Sequence, residues 1–487
     1  MGFWRQRSFY FYFLVGLILV AVLGGLAWRL LSAEALEVTL SSPQIPELAG
    51  YTYPIYELTA SLDGEGKTLR GNCILTYTNN EEANLSELFF HLYPNAPLFT
   101  EYTSTPGSLE IKSVKVDGEE TIWQVDSTIL KVRLPAPLAP GEATAVEIPF
   151  TMQIPAVRER FGVKDQVVSL GNWYPILAVY DGEWHLDPYY EIGDPFYSDI
   201  ALYRVTFDVS RRHTVAATGS LLSVEKTPCW RKRLYFETGP VRDFALAISS
   251  RYQVVREECG GIMVQSFYPR GHELAGKLAL QATKEALQFF QETFGPYPYD
   301  QLTVAATGMF AGGMEYPNIV FIGNDLYREG SERALEYIVV HEVAHQWWYG
   351  LVGNDQIREP WLDEGLADFS TQLFYEVRRP ELAGNLPNSL AHFYEMYKDN
   401  VGGGIIRRPL WEFKSDLEYS VLVYGKGSIV FSQLRETLGD EDFFALLQQY
   451  LAEYKYRHVT IDEFIEFCQQ VTDLQLGEFF YKWLETA

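Results

Sequence analysis

Cysteine is scarce in this chain, with four residues in 487, at Cys73, Cys229, Cys259 and Cys468. No two of them form a Cys-x-x-Cys pair, which excludes a thiolate zinc ribbon and a dithiol redox motif, and their scatter gives no disulfide framework. Cys229 with Cys259 is the one pairing worth considering, and buried free thiols are the preferred reading. Basic residues are also in deficit, 39 Lys and Arg against 64 Asp and Glu, for a formal net charge of −25. That balance excludes nucleic acid and anionic lipid as the main partner. There is no internal repeat and no low-complexity tract. What remains is an ordinary globular composition, long enough for two or three domains with large cores.

Only one long apolar run is present. Phe9 to Trp28 is twenty uncharged, almost wholly apolar residues, enough helix to cross a bilayer. Arg5 and Arg7 precede it, so the positive-inside rule keeps the N-terminus cytoplasmic and exports the rest. A cleaved signal peptide competes, since Leu31-Ser32-Ala33 offers small residues near a cut. Its apolar region would be unusually long, and Arg29 lies between it and that site. The preferred reading is a single-pass signal anchor with the rest of the protein extracytoplasmic, followed by a stalk over residues 32–50 with Ser-Ser-Pro and Ile-Pro.

Histidine is also rare, eight residues in all, yet two stand four apart in His341-Glu342-Val343-Ala344-His345. On a helix, positions i and i+4 share a face, so both imidazoles can reach one cation. Ser331 is the expected N-cap of that helix, Glu332 complements its dipole, and Gly350 is the expected stop. A third ligand is available at Glu364 in Trp361-Leu362-Asp363-Glu364-Gly365, separated from His345 by eighteen residues, 346 through 363. That interval lets a second helix, starting near Pro360, fold back onto the metal. Two His, one Glu and a fourth position left for water are the donor set of a catalytic zinc site rather than a structural one.

These stretches resemble the aminopeptidase N-type family of zinc metallopeptidases, gluzincins that also include leukotriene hydrolase-like members. The resemblance is carried by His341 to Gly350, by Trp361 to Gly365, and by Gly312-Gly313-Met314-Glu315-Tyr316-Pro317, which is similar to the family's Gly-x-Met-Glu-Asn exopeptidase motif. Tyr419 and Tyr424, the latter in Tyr424-Gly425-Lys426-Gly427, match a tyrosine pair near the zinc. Gly171-Asn172-Trp173-Tyr174-Pro175 and Arg242-Asp243-Phe244-Ala245-Leu246 are weaker echoes. Tyr316 and Asp363 depart from the family, where Asn is the commoner residue at both places.

The resemblance implies one Zn2+ per chain on His341, His345 and Glu364, with Glu342 as general base and Tyr424 stabilising the oxyanion. Glu315 would pair with the α-ammonium of a peptide substrate, in a loop with Gly312, Gly313 and Met314, and Tyr419 would border the substrate. Asp368, one turn after Glu364, is a candidate to orient a ligating histidine.

The expected fold is α+β. Residues 1–31 are the cytoplasmic tip and anchor, and 51–255 read as strands and turns. Tyr56 to Leu62 and Arg204 to Val209 alternate with period two, and Asp63-Gly64 and Asp117-Gly118 mark turns. Pattern alone gives an all-β, sandwich-like domain, and the resemblance makes it a curved antiparallel one. Residues 256–487 are expected to form a thermolysin-like catalytic domain ending in helices. Within it, Leu274, Leu278, Leu287 and Phe294 mark a helix, Gln301 to Ala306 a strand, and Thr460 with Glu463 a capping box. The expected function is a membrane-anchored zinc aminopeptidase acting on peptides with a free N-terminus. A zinc oligopeptidase without strict N-terminal recognition is the alternative, and a noncatalytic peptide-binding surface protein is a distant third.

Overall fold

The structure, a computed structural model, describes residues 39–310, 312–383 and 390–486. The apolar run Phe9 to Trp28 lies outside the described residues, and no described helix is long and apolar enough to cross a membrane. Residues from Ser41 onward form one compact unit, β-rich in its first half and helical towards its end.

The first half is built on a nine-stranded sheet in which Ile55–Leu62 and Thr68–Thr78 form a hairpin. Alternation works as expected there: every second residue of Ile55–Leu62 is buried, from Tyr56 to Leu62, because successive side chains of a strand face opposite sides. The Asp117-Gly118 turn is present as well, both residues having positive φ (52° and 87°), the geometry of a tight hairpin. The sheet is not purely antiparallel, however. Ile55–Leu62 pairs in parallel with Leu202–Ser210, Ile55 opposite Leu202. A parallel neighbour needs a long crossover connection, and here the chain completes one four-stranded sheet and lays down two strands of another before it returns. Trp173 joins these layers. Its buried ring lies against Phe150 and Phe207 of the large sheet, and its indole N–H donates to the Phe244 carbonyl at 3.0 Å.

The expected domain boundary at 255 falls inside a strand. Tyr252–Cys259 opens a five-stranded mixed sheet that continues through Ile262–Pro269, Gln301–Thr307, Ile319–Gly323 and Gly313–Met314. Hydrophobic patterning does not change at a point where one sheet ends and the next begins with the same kind of residue. The helix Glu273–Thr293 connects two parallel strands of this sheet. Leu274, expected on its apolar face, is 85% exposed. The buried stripe combines small residues, Gly276, Ala279, Ala282, Thr283 and Ala286, with Leu280, Leu287, Phe289 and Phe290, and the small ones let the first turns lie close on the sheet.

The helix Glu332–Ala344 starts after Ser331 as expected, although that serine makes no side-chain cap. It stops at His345, well short of Gly350: the Gly350 N–H reaches back to the His345 carbonyl at 2.8 Å and Tyr349 takes a positive φ of 114°. The second helix runs Trp361–Arg378 from Pro360. Thr460 and Glu463 complete a capping box on Ile461–Thr472. All four cysteines are free. Cys73 and Cys468 are buried, while Cys259 is half-buried and Cys229 exposed, because Cys229 and Trp230 form the positive-φ tip of a hairpin.

Candidate active site

Two helices and an edge strand enclose a cavity of about 530 Å3. The helix Glu332–Ala344 brings His341 and Glu342 to its wall, with His345 at its C-cap. The first turn of Trp361–Arg378 presents Glu364. The Nε2 atoms of His341 and His345 are 3.1 Å apart, and Glu364 Oε2 lies 3.3 and 3.1 Å from them. His345 Nδ1 faces the Trp348 carbonyl at 2.9 Å. A carbonyl only accepts, so Nδ1 carries a proton. At this range Nε2 and the carboxylate oxygen share either a proton or a metal ion, and with Nδ1 protonated the Nε2 lone pair is the one a metal would take. Ligands about 2.0–2.1 Å from a tetrahedral Zn2+ stand about 3.3 Å from one another, which is the spacing found. The three residues fit zinc.

Glu342 is buried beside this trio with Oε2 unpartnered. Gly313 lies against it so closely that a Cβ there would sit 2.1 Å from Glu342 Oε1, so only glycine fits. The strand Gly313–Met314 is the edge of the five-stranded sheet, and Gly312 also lines the cavity. Met314 is fully buried, which places it in the core behind the strand. Tyr424 sits on a π-helical turn, Ser420–Lys426, a distortion that often accompanies functional sites. Its hydroxyl donates to Glu364 Oε1 at 2.6 Å. Tyr419 lines the same cavity, its ring 5.9 Å from that of Tyr424. Asp368 does not take the role considered for it: it accepts from Tyr337 at 2.6 Å and from Gln372 at 2.8 Å.

Glu315 is 3% exposed and accepts from Gln356 Nε2 at 3.1 Å. The same nitrogen donates to Asp363 at 2.8 Å, while Asn354 donates to the other Asp363 oxygen at 3.1 Å. Tyr316, which stands where the family has Asn, is fully buried and donates to Asn172 at 3.0 Å. A Cβ on Gly171 would meet the Tyr316 hydroxyl at 1.8 Å, so the Gly171-Asn172 turn of the β-rich half is shaped to receive that tyrosine. Gln346 ties the histidine helix to the same loop, accepting from Asn318 N at 2.9 Å.

Sequence reasoning missed Gln356, Asn354, Asp194 and Arg160. Asp194 and Arg160 come from loops of the β-rich half, form an ion pair at 3.2 Å and line the cavity. No periodic pattern flags a polar residue in a turn; the only signal was the charge of Asp363 where an uncharged residue is usual.

The electrostatics are one-sided. Seven acidic side chains line the cavity, and among its described lining residues Arg160 is the single arginine or lysine. Burial, reinforced by the Asp194 carboxylate, pushes Glu315 up to about 8. Burial likewise raises Asp194 and Asp363, each to about 7. Glu342 is held well above the usual carboxylate range by burial and then by Glu315. Glu364 goes the other way: burial opposes ionisation, but His345 and His341 hold it below that range. The cavity is short of positive charge beyond one metal ion.

Residues 278–483 match the model of the Peptidase family M1 domain. They form an M1 peptidase domain. The M1 zinc metallopeptidase of Deinococcus radiodurans has a solved structure that shares the fold with a TM-score of 0.67 at 17% identity, covering 92% of this chain and 95% of that one. A mutant of the Deinococcus protein bound to a Tyr-Ser-Ala substrate aligns with a TM-score of 0.66 at 18% identity, over 88% of this chain and 93% of that one. In sequence, the chain is 24% identical over 269 residues to aminopeptidase N of Lactobacillus delbrueckii subsp. lactis, covering 50% of this chain and 30% of that protein. It is 25% identical over 306 residues to human aminopeptidase B, covering 54% and 44%. The chain thus spans less than half the length of these two relatives.

Proposed function

We propose that this protein is a zinc-dependent aminopeptidase that removes N-terminal residues from peptides. The observation that carries the reading is the buried pair of sites in one cavity, a His-His-Glu trio spaced for zinc and, beside it, the Glu315 carboxylate awaiting a second cation. A peptide's α-ammonium supplies that cation and brings the first peptide bond over the metal. The named relatives with aminopeptidase activity support the same substrate class.

His341, His345 and Glu364 would hold the zinc, which when bound would supply Lewis acidity for the scissile carbonyl and lower the pKa of water. Glu342, with one oxygen unpartnered, takes the proton from the attacking water and returns it to the leaving amine. Its raised affinity for a proton suits a shuttle, which must both take and give one. The Tyr424 hydroxyl leaves Glu364 and donates to the carbonyl oxygen as that oxygen becomes negative. The Gly313–Met314 edge strand offers free backbone groups against which an extended peptide can lie. Phe9 to Trp28 anchors the chain in a membrane, with the catalytic part extracytoplasmic.

The test is to incubate the zinc-loaded full chain, in detergent, with a six-residue peptide and to follow the products by mass spectrometry. Stepwise loss of residues from the N-terminus, abolished by a chelator and restored by Zn2+, is expected. Internal fragments as first products would contradict the aminopeptidase and favour an oligopeptidase.

A further inference from the structure

We infer that Gln356 is a positioning residue that fixes Glu315 relative to the metal-ligand helix, and so sets which peptide bond lies over the zinc. The inference rests on the reading of Glu315 as the ammonium partner. A ruler is only as good as the rigidity of both its ends. One end, Glu364, is built into the first turn of Trp361–Arg378. The other, Glu315, follows a two-residue edge strand, which by itself gives a carboxylate side chain little constraint.

Gln356 joins the two ends with one nitrogen. Its Nε2 carries two hydrogens, and both have carboxyl oxygens as acceptors: Glu315 Oε1 at 3.1 Å and Asp363 Oδ2 at 2.8 Å. Asp363 is the immediate neighbour of Glu364, so the amide bridges the ammonium partner directly to the helix turn that carries the metal ligand. The orientation of the amide is settled by its surroundings, since the carbonyl end facing two carboxylates would be repelled by both. Gln356, Glu315 and Asp363 are each 3% exposed or less, where hydrogen bonds to charged groups are strongest and a lost donor is most costly.

The bridge is itself held from behind. Asn354 Nδ2 donates to Asp363 Oδ1 at 3.1 Å and to the Glu359 carbonyl at 2.9 Å, so its amide is also fixed. Asp355 folds the turn, its Oδ1 accepting from the Ile357 and Arg358 N–H groups at 2.9 and 3.0 Å. The Ile357 carbonyl is taken by Leu410 N at 2.8 Å. Asp363 must be an acid here because donors face both of its oxygens. An Asn at 363 would turn its own NH2 towards one of them.

The experiment compares two probes that differ only in the α-ammonium, leucine hydroxamate and its des-amino analogue, 4-methylpentanoic hydroxamate. Calorimetry on the zinc-loaded full chain gives the ratio of their dissociation constants in the wild type, Glu315→Gln, Gln356→Met and the double variant. Zinc content and thermal unfolding are measured alongside. If Gln356 works through Glu315, Gln356→Met lowers the ratio by about tenfold to a hundredfold, the size of one charge-assisted hydrogen bond. The double variant then matches Glu315→Gln alone. Asp363→Asn keeps the test decisive if Gln356→Met unfolds, and it lowers the ratio by about threefold to tenfold. A wild-type ratio in Gln356→Met or Asp363→Asn, with Glu315→Gln losing it, overturns the inference and leaves the Glu315 reading standing. Additive losses in the double variant overturn it too. A wild-type ratio in Glu315→Gln overturns the ammonium reading and this inference with it.

Discussion

The cavity has two kinds of wall. One is made by the helices Glu332–Ala344 and Trp361–Arg378, where the metal trio and Glu342 are placed by spacing along the chain. The other depends on turns: the Arg160–Asp194 pair lines the cavity, while Asn354 to Glu359 and the Gly171-Asn172 corner stand behind it, holding Glu315 and Tyr316 by contacts between residues far apart in sequence. In the proposed function the helical wall would do the chemistry and the turn wall would decide where a substrate sits. Helical geometry puts i and i+4 together whatever surrounds them, whereas a turn residue finds its place only after the rest has folded.

The two walls can be told apart by mutation, and the largest effect belongs to the helical one. Glu342→Ala is expected to retain zinc while turnover falls by about 10²–10⁴, the usual contribution of a positioned proton-transfer group. Zinc stoichiometry with steady-state kinetics checks this, and near-normal turnover would remove Glu342 as the base. Tyr424→Phe is expected to lower kcat by about 10²–10³ with a smaller change in KM, since its bond to substrate forms as charge develops. An unchanged kcat would hand the donor role to Tyr419 or another group.

Damage to the turn wall should read differently. Gly171→Ala drives a methyl into the Tyr316 hydroxyl, and overpacking of this kind costs about 1–3 kcal/mol. Thermal unfolding should show the loss, and KM should rise more than kcat falls because the Glu315 loop shifts. The smallest effect is expected far from both walls. Thr460→Ala removes half of a capping box and should cost about 1 kcal/mol with no change in either kinetic constant. A kinetic effect there would blur the division between the walls.

Much of the helical wall was legible in the sequence because its information is local. The His341 and His345 spacing and Pro360 as helix start depend on residues within one or two turns, as does the Thr460 box far from the cavity. The end of the histidine helix was misplaced at Gly350 because the stop comes from tertiary contacts. Tyr349 donates to Asp243 at 2.8 Å, and its carbonyl accepts from Arg242 Nε at 2.6 Å. Leu274 misled because one large apolar residue weighs more in a pattern than three alanines, although the alanines make the contact. The parallel pairing of Ile55–Leu62 with Leu202–Ser210 joins segments that alternate in the same way in either direction. Gln356 had no signal of its own beyond the unusual charge of Asp363, since a glutamine in a polar turn looks like solvent-facing sequence until Glu315 and Asp363 arrive around it.

The central claim is that the cavity takes two cations, zinc and a substrate ammonium, and the second fixes the bond that is cut. The most direct test is hydrolysis of one short peptide with a free and with an acetylated N-terminus, by the wild type and by Glu315→Gln. The account predicts that the wild type cleaves the free form at its first bond and spares the acetylated one, and that Glu315→Gln loses most of this preference. Equal cleavage of both forms by the wild type, or an undiminished preference in Glu315→Gln, would contradict it.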